Sequence, residues 1–366
     1  MSSIRELLAR AVELGASDVH ITAGQRPVFR VNSRLVPAEF EPLSAEDLRL
    51  IGDELVPPHA RERFAENHEC DFSHLEEDVG RFRANVFLGK GVPAVALRFV
   101  KSDIPTLESL NLPPILRRCA EAPAGVVILS GTTSSGKSTT LAALVGMINR
   151  TAERRIITIE DPIEYEFTDA KSTITQREVG LDTRSFATGL RQVLRQDPDV
   201  ILIGEVRDAE SLRIGLMAAE TGHLVLTTLH SGTAAQAIPR LLNEFPADDQ
   251  DRIRLAVAAN LHSVICQRLI PTAQGELVPA VEILFNTPMV RKLIVQNQLD
   301  HLHDAIETGN EDGLQTFDQA IYQLIRQHIV TERVGLEHAT NAEKLRMNLE
   351  GIFLDEARRI LATSQS

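Results

Sequence analysis

The run Gly131-Thr-Thr-Ser-Ser-Gly136-Lys137-Ser138-Thr139 fits the pattern GxxxxGK[ST], and its neighbours fix how it must be held. Gly125 to Ser130 before it has the length and apolar character of a buried strand, and Lys137 to Met147 after it carries helical spacing. Further strand-length apolar segments follow at Ile156 to Ile159, Val200 to Ile203 and Leu224 to Leu229, with helical segments between them. Strand and helix alternating in this way predict the α/β class, a parallel sheet covered by helices.

The chemistry of the loop follows from its residue types. Glycines permit the tight turn in which successive backbone N–H groups ring a phosphate, and the helix N-terminus adds positive potential. Thr132, Thr133, Ser134, Ser135, Gly136, Lys137, Ser138 and Thr139 are therefore predicted to bind nucleotide. Lys137, one of only six lysines in the chain, would reach the β and γ phosphates, and the Ser138 hydroxyl would face Mg²⁺. ATP and Mg²⁺ are the expected ligands.

Hydrolysis also needs acids. Asp199-Val-Ile-Leu-Ile-Gly-Glu205 is an apolar strand ending in a carboxylate, so Glu205 is the predicted metal-side acid. A second strand runs into Glu160-Asp161-Pro162-Ile163-Glu164, where Pro162 turns the chain out of the sheet. Ligands of open α/β sheets gather at the carboxyl ends of strands. The residues alone do not rank Glu160, Asp161 and Glu164. His223 and His230 bracket a third strand, and seven residues of separation puts them at its opposite ends, so a zinc site is not implied.

Elsewhere, residues 1–100 read as a small mixed domain. Ile4, Leu7, Leu8 and Val12 recur at helical spacing, Ser44 opens a helix with Glu46 and Asp47 in its first turn, and Arg81 to Phe87 and Val95 to Val100 read as strands. Residues 101–114 hold Pro105, Pro113 and Pro114 and read as a linker, with a core at 115–286 and a helical region at 287–366. With 38 basic and 51 acidic residues the net charge is -13, which repels polyanions, and two Tyr with no Trp offer little base stacking. A nucleic-acid partner is disfavoured. Cys70, Cys119 and Cys266 form no CxxC pair, which predicts neither zinc nor disulfides and suits a reducing compartment. No apolar stretch approaches the roughly 20 residues of a membrane span, and charges interrupt the first fifteen residues, so a cytoplasmic chain is expected.

Five motifs in order carry a resemblance: Ala16-Ser-Asp-Val-His20, the phosphate loop, Ile159-Glu-Asp-Pro-Ile-Glu164, the strand to Glu205, and Glu220-Thr-Gly-His223 through Leu229-His230. Over nearly its whole length the chain resembles the PilT/PilU-type ATPases of type IV pili, a branch of the secretion ATPase superfamily. That resemblance implies a PAS-like N-terminal domain, a RecA-like ATPase core and a homo-hexamer that hydrolyses Mg-ATP to retract pili. It implies a cytoplasmic position at the inner membrane, a platform protein there as partner, and a second retraction ATPase as a further one. By motif match Glu164 is the catalytic carboxylate, Glu205 supports Mg²⁺, and His223 and His230 form a histidine box that senses the γ-phosphate. Arg83 and Arg98 are the matching candidates for arginines that the N-terminal domain offers to nucleotide.

Two departures matter. Retraction motors of the PilT type carry an AIRNLI segment, whereas this chain has Met289-Val-Arg-Lys-Leu-Ile294. Phe64-Ala-Glu-Asn-His-Glu-Cys70-Asp, Gln176-Arg-Glu-Val-Gly-Leu-Asp-Thr183 and Gly313-Leu-Gln-Thr-Phe-Asp-Gln319 resemble the PilU subgroup instead. Pilus-assembly and type II secretion ATPases are the alternative within the superfamily, but they commonly carry a cysteine-rich zinc insert that is not found here. Two alternatives of other kinds are a RecA-like nucleic-acid translocase, opposed by the charge, and a non-hydrolysing nucleotide-dependent scaffold, opposed by Glu164 and Glu205.

Overall fold

The computed structural model describes residues 4–31, 34–206 and 208–352. Two units emerge: one holds the chain up to Asp103 together with Pro162–Glu166, the other Ile104–Asp161 and the chain from Phe167 onward.

In the first unit six strands, β1 (Asp18–Ile21), β2 (Val28–Val31), β3 (Arg34–Pro37), β4 (Glu69–Glu76), β5 (Gly80–Gly89) and β6 (Val92–Phe99), pair in the order β3-β2-β1-β6-β5-β4. Every pairing is antiparallel. The β5–β6 hairpin turns on Lys90 and Gly91, both at positive φ, as a two-residue turn matched to strand twist requires. Helix Ala45–Leu55 starts where Ser44 and Asp47 form a reciprocal capping box, and it buries Leu48, Ile51 and Leu55. Leu8, Phe29, Leu48, Phe82 and Leu97 fill the core.

The second unit is built on seven strands: β7 (Gly125–Ser130), β8 (Arg155–Glu160), β9 (Thr173–Glu178), β10 (Val200–Ile203), β11 (Leu224–Leu229), β12 (Leu261–Pro271) and β13 (Leu277–Phe285). Their order is β13-β12-β7-β11-β10-β8-β9. All neighbours are parallel except β12 and β13. Every residue of β7, β10 and β11 is buried, which is why these strands are mostly apolar and lack the alternation of a half-exposed strand.

Two features add to the linear reading. Past Asp103 the proline-rich stretch buries Leu107 and Leu112 in the core of the second unit. The helices after Thr287 pack into that same core through Val290, Ile294, Phe317, Ile321 and Leu345. No helix among the described residues is long and apolar enough to cross a membrane.

Candidate active site

In the second unit β7 ends at Ser130 and the phosphate loop begins. Gly131, Ser134 and Gly136 have φ of 142°, 62° and 87°, the positive values a turn of this tightness demands. Two of these positions also exclude a side chain for lack of room. A Cβ on Gly131 would lie 2.5 Å from the Gln267 carbonyl oxygen, and one on Gly136 2.7 Å from Gln267 Nε2. Lys137 opens helix Lys137–Thr151 and folds back over the loop, its Nζ donating to the carbonyls of Gly131 at 2.9 Å and Thr132 at 3.0 Å. Thr132, Thr133 and Ser134 are exposed, and Ser138 and Thr139 are half-buried in the first helical turn.

These residues fit a phosphate. The loop is a cradle that side chains at Gly131 and Gly136 would fill, it leads into a helix N-terminus, and its Ser135 hydroxyl is buried with no hydrogen-bond partner. The oxygen donors on this edge, the Ser138 hydroxyl and the Glu205 carboxylate, suit a hard cation such as magnesium.

The acids emerge from neighbouring strands. Glu205 follows β10 by one glycine, and the Thr228 hydroxyl of β11 donates to the Gly204 carbonyl at 2.8 Å, holding that exit in place. Glu205 Oε1 lies 3.1 Å from His230 Nε2, just beyond the end of β11. Ser231 is anchored in turn, its N–H donating to Ser130 Oγ at 2.8 Å. The phosphate loop, the Glu205 turn and the His230 turn are thus cross-tied at one sheet edge.

The three acids that the sequence left unranked have different surroundings. Glu160, 8% exposed, ends β8 and accepts hydrogen bonds from the Thr158 hydroxyl at 2.6 Å and the Gln176 amide at 3.1 Å. Asp161 is exposed. Glu164 lies past Pro162, in the segment that belongs to the first unit, where Arg83 is 3.6 Å away; Glu166 is likewise 3.7 Å from Arg81. Arg83 and Arg98 are direct cross-strand neighbours on β5 and β6. Like charges so placed repel, and each has a carboxylate of its own: Arg98 Nε donates to Asp18 Oδ1 at 2.8 Å. Burial alone would raise the Asp18 carboxyl, but hydrogen bonds from Arg98 and Ser17 outweigh it and hold it below its usual range.

The structure does not bring His223 to the loop of its own chain. Leu224 is level with Gly125 and Leu229 with Ser130, so His223 precedes β11 at the amino edge of the sheet while His230 follows it at the carboxyl edge. His223 Nδ1 lies 2.8 Å from the Ala218 carbonyl and 3.1 Å from the Thr221 hydroxyl, closing the end of helix Ala209–Glu220. Sequence reasoning missed Gln267 and Thr140, which touch the loop from beneath. The one available signal was Gln267 itself, a polar residue following the apolar run Val264-Ile-Cys266. The thiol of Cys266, beside it on the strand, is pushed up to about 12, chiefly by burial and then by the Glu282 charge.

Residues 1–279 match the type II/IV secretion system protein family. The chain is 43% identical over 346 residues to the type IV pilus ATPase PilU of Pseudomonas aeruginosa, covering 94% of this chain and 91% of that protein. It is 39% identical over 336 residues to the type IV pilus retraction ATPase PilT of the same organism, covering 92% and 98%. A crystal structure of the pilus retraction motor PilT with bound ADP has a similar fold, with a TM-score of 0.86 at 40% identity over 93% of this chain and 98% of that one.

Proposed function

The chain belongs to the type II/IV secretion system protein family, in its PilT/PilU-type branch of P-loop ATPases, and on that footing we propose that it powers type IV pilus retraction by hydrolysing Mg-ATP as a homo-hexamer. The observation that carries this reading is the cross-tied sheet edge, where Lys137 spans the phosphate loop and Glu205 meets His230 at 3.1 Å. A binding loop needs only the former; hydrolysis needs an acid and its partner beside it.

In this mechanism the backbone N–H groups of the loop receive the β-phosphate, and Lys137 exchanges its two carbonyl partners for phosphate oxygens. Ser138 and Glu205 would hold magnesium, which supplies charge neutralisation at the β and γ phosphates when bound. Glu164 accepts a proton from the attacking water, so its link to Arg83 sets when that carboxylate is available. His230 reports loss of the γ-phosphate to the Glu205 turn. Six chains in a head-to-tail ring that closes can pass this cycle around, which isologous dimers cannot. Cleavage then becomes domain rotation, and rotation against a platform protein at the inner membrane releases pilin subunits from the fibre base.

The higher identity to PilU than to PilT favours a PilU-like motor working beside a second retraction ATPase. Deleting the gene in its host and imaging the surface tests the function. A retraction motor leaves surplus fibres, whereas an assembly or secretion motor leaves bald cells or unchanged ones. Glu164→Gln, assayed in the purified chain, should abolish phosphate release and keep nucleotide binding; a parent chain that binds nucleotide but releases no phosphate returns the non-hydrolysing scaffold.

A further inference from the structure

β12 outruns β7. Its Cys266 is level with Ser130, the last residue of β7, and the strand continues through Pro271, so Gln267 is level with the start of the phosphate loop. Gln267 is 3% exposed, and both ends of its amide are used. Nε2 donates to the Ser135 carbonyl at 2.8 Å, within the loop, and Oε1 accepts from the Thr140 hydroxyl at 2.8 Å, in the first turn of the helix that follows. A single buried side chain therefore joins the two halves of the cradle, and the backbone carbonyl of the same residue, 2.5 Å from where a Cβ on residue 131 would lie, helps to keep that position glycine.

The direction of these bonds has a consequence for anion binding. In a trans peptide the C=O and the next N–H point in opposite directions. Holding the Ser135 carbonyl down toward β12 therefore aims the Gly136 N–H the other way, into the concavity of the loop. We propose that Gln267 is a positioning residue for nucleotide: it presents the Gly136 N–H to the phosphate, with Thr140 fixing which way its amide faces. This inference rests on the phosphate loop binding nucleotide and adds the residue that sets the loop's shape. Gln267 is suited to the task because an amide is at once donor and acceptor, and no apolar or singly functional side chain replaces it at this burial.

The test measures the dissociation constant of a fluorescent methylanthraniloyl derivative of ADP for the full chain and three variants, alongside thermal unfolding without nucleotide. Gln267→Leu, which removes both bonds, should weaken binding by about tenfold to a hundredfold. Thr140→Val, which leaves the Ser135 bond in place, should weaken it about threefold. Gln267→Glu keeps the acceptor and regains a donor only when its carboxyl is protonated. Its affinity should be near that of the parent at about pH 6 and fall by roughly tenfold toward pH 9, where the parent is flat. In steady-state hydrolysis the KM for ATP should rise with the dissociation constant while kcat at saturation changes by less than about threefold.

Parent-like binding by Gln267→Leu, with unfolding unchanged, overturns the proposal. Should Gln267→Leu fail to fold, parent-like binding by both other variants across the pH range overturns it equally. A parent chain that does not bind the probe defeats the nucleotide reading itself, a separate outcome from a parent that binds and variants that are indifferent.

Discussion

The two edges of the parallel sheet in the second unit make a useful contrast. The amino edge has a hollow of about 660 Å³ lined by Arg118, His262, Phe285, Asn286 and Arg291 among others. One of its charged groups is spent on the fold: the Arg118 guanidinium lies 4.2 Å over the Phe285 ring and donates to the Asp312 carbonyl at 2.9 Å. The carboxyl edge holds the converging groups instead: a lysine over a glycine loop, an acid against a histidine, and a glutamine beneath. Chemistry is located by where polar groups from several strands meet, as expected for open α/β sheets.

The largest effect expected from this contrast is that Glu205→Gln at the carboxyl edge lowers phosphate release by about a hundredfold or more with nucleotide affinity changed by less than about fivefold. Unaltered turnover in a phosphate-release assay would remove Glu205 from the machinery. The histidines at the two ends of β11 give the next test. His230→Ala should lower turnover by about tenfold, while His223→Ala should leave the nucleotide dissociation constant within about twofold. A His223→Ala variant as impaired as His230→Ala in nucleotide binding would mean that His223 serves a phosphate other than that of its own chain.

Glu160 comes third. Its hydrogen bonds to Thr158 and Gln176 make it a brace between β8 and β9, so Glu160→Gln should cost about 1 kcal/mol in a denaturant titration and leave turnover within about threefold. The smallest effect concerns acid stability at the amino edge. Burial, and then the Arg118 charge, hold the His262 imidazole below its ordinary value of 6.5. A depressed pKa in the folded state means that its stability contribution is present above pH 6.5 and is lost as pH falls through the lowered value. His262→Gln should therefore flatten the fall in urea midpoint between about pH 7 and pH 5. An equally steep fall in that variant assigns the acid sensitivity elsewhere.

How far these features could be read in advance depended on burial. Strands β10 and β11 stand out in the chain because both faces are covered, leaving Val, Ile and Leu with only Thr227 and Thr228 among them, and the phosphate loop is legible because its glycines are compelled. The polar strand β9, Thr173–Glu178, has no such signature, since its residues are mostly half-buried. The β12–β13 pair escaped notice for a different reason: strand–helix alternation predicts parallel neighbours, and an antiparallel hairpin at the sheet edge follows no such rule. Missing β12 meant missing Gln267, whose role lies in register and not in any local pattern. Glu164 could not be separated from Glu160 by residue type, because the difference lies in which unit each joins after Pro162.

The central claim is that the glycine loop at the carboxyl edge is where nucleotide binds. Titrating Mg-ADP into the parent chain and into Lys137→Ala by calorimetry tests it most directly. Saturable binding by the parent and its loss in the variant are the expected result. No heat of binding from the parent, or an unchanged isotherm in Lys137→Ala, would contradict it.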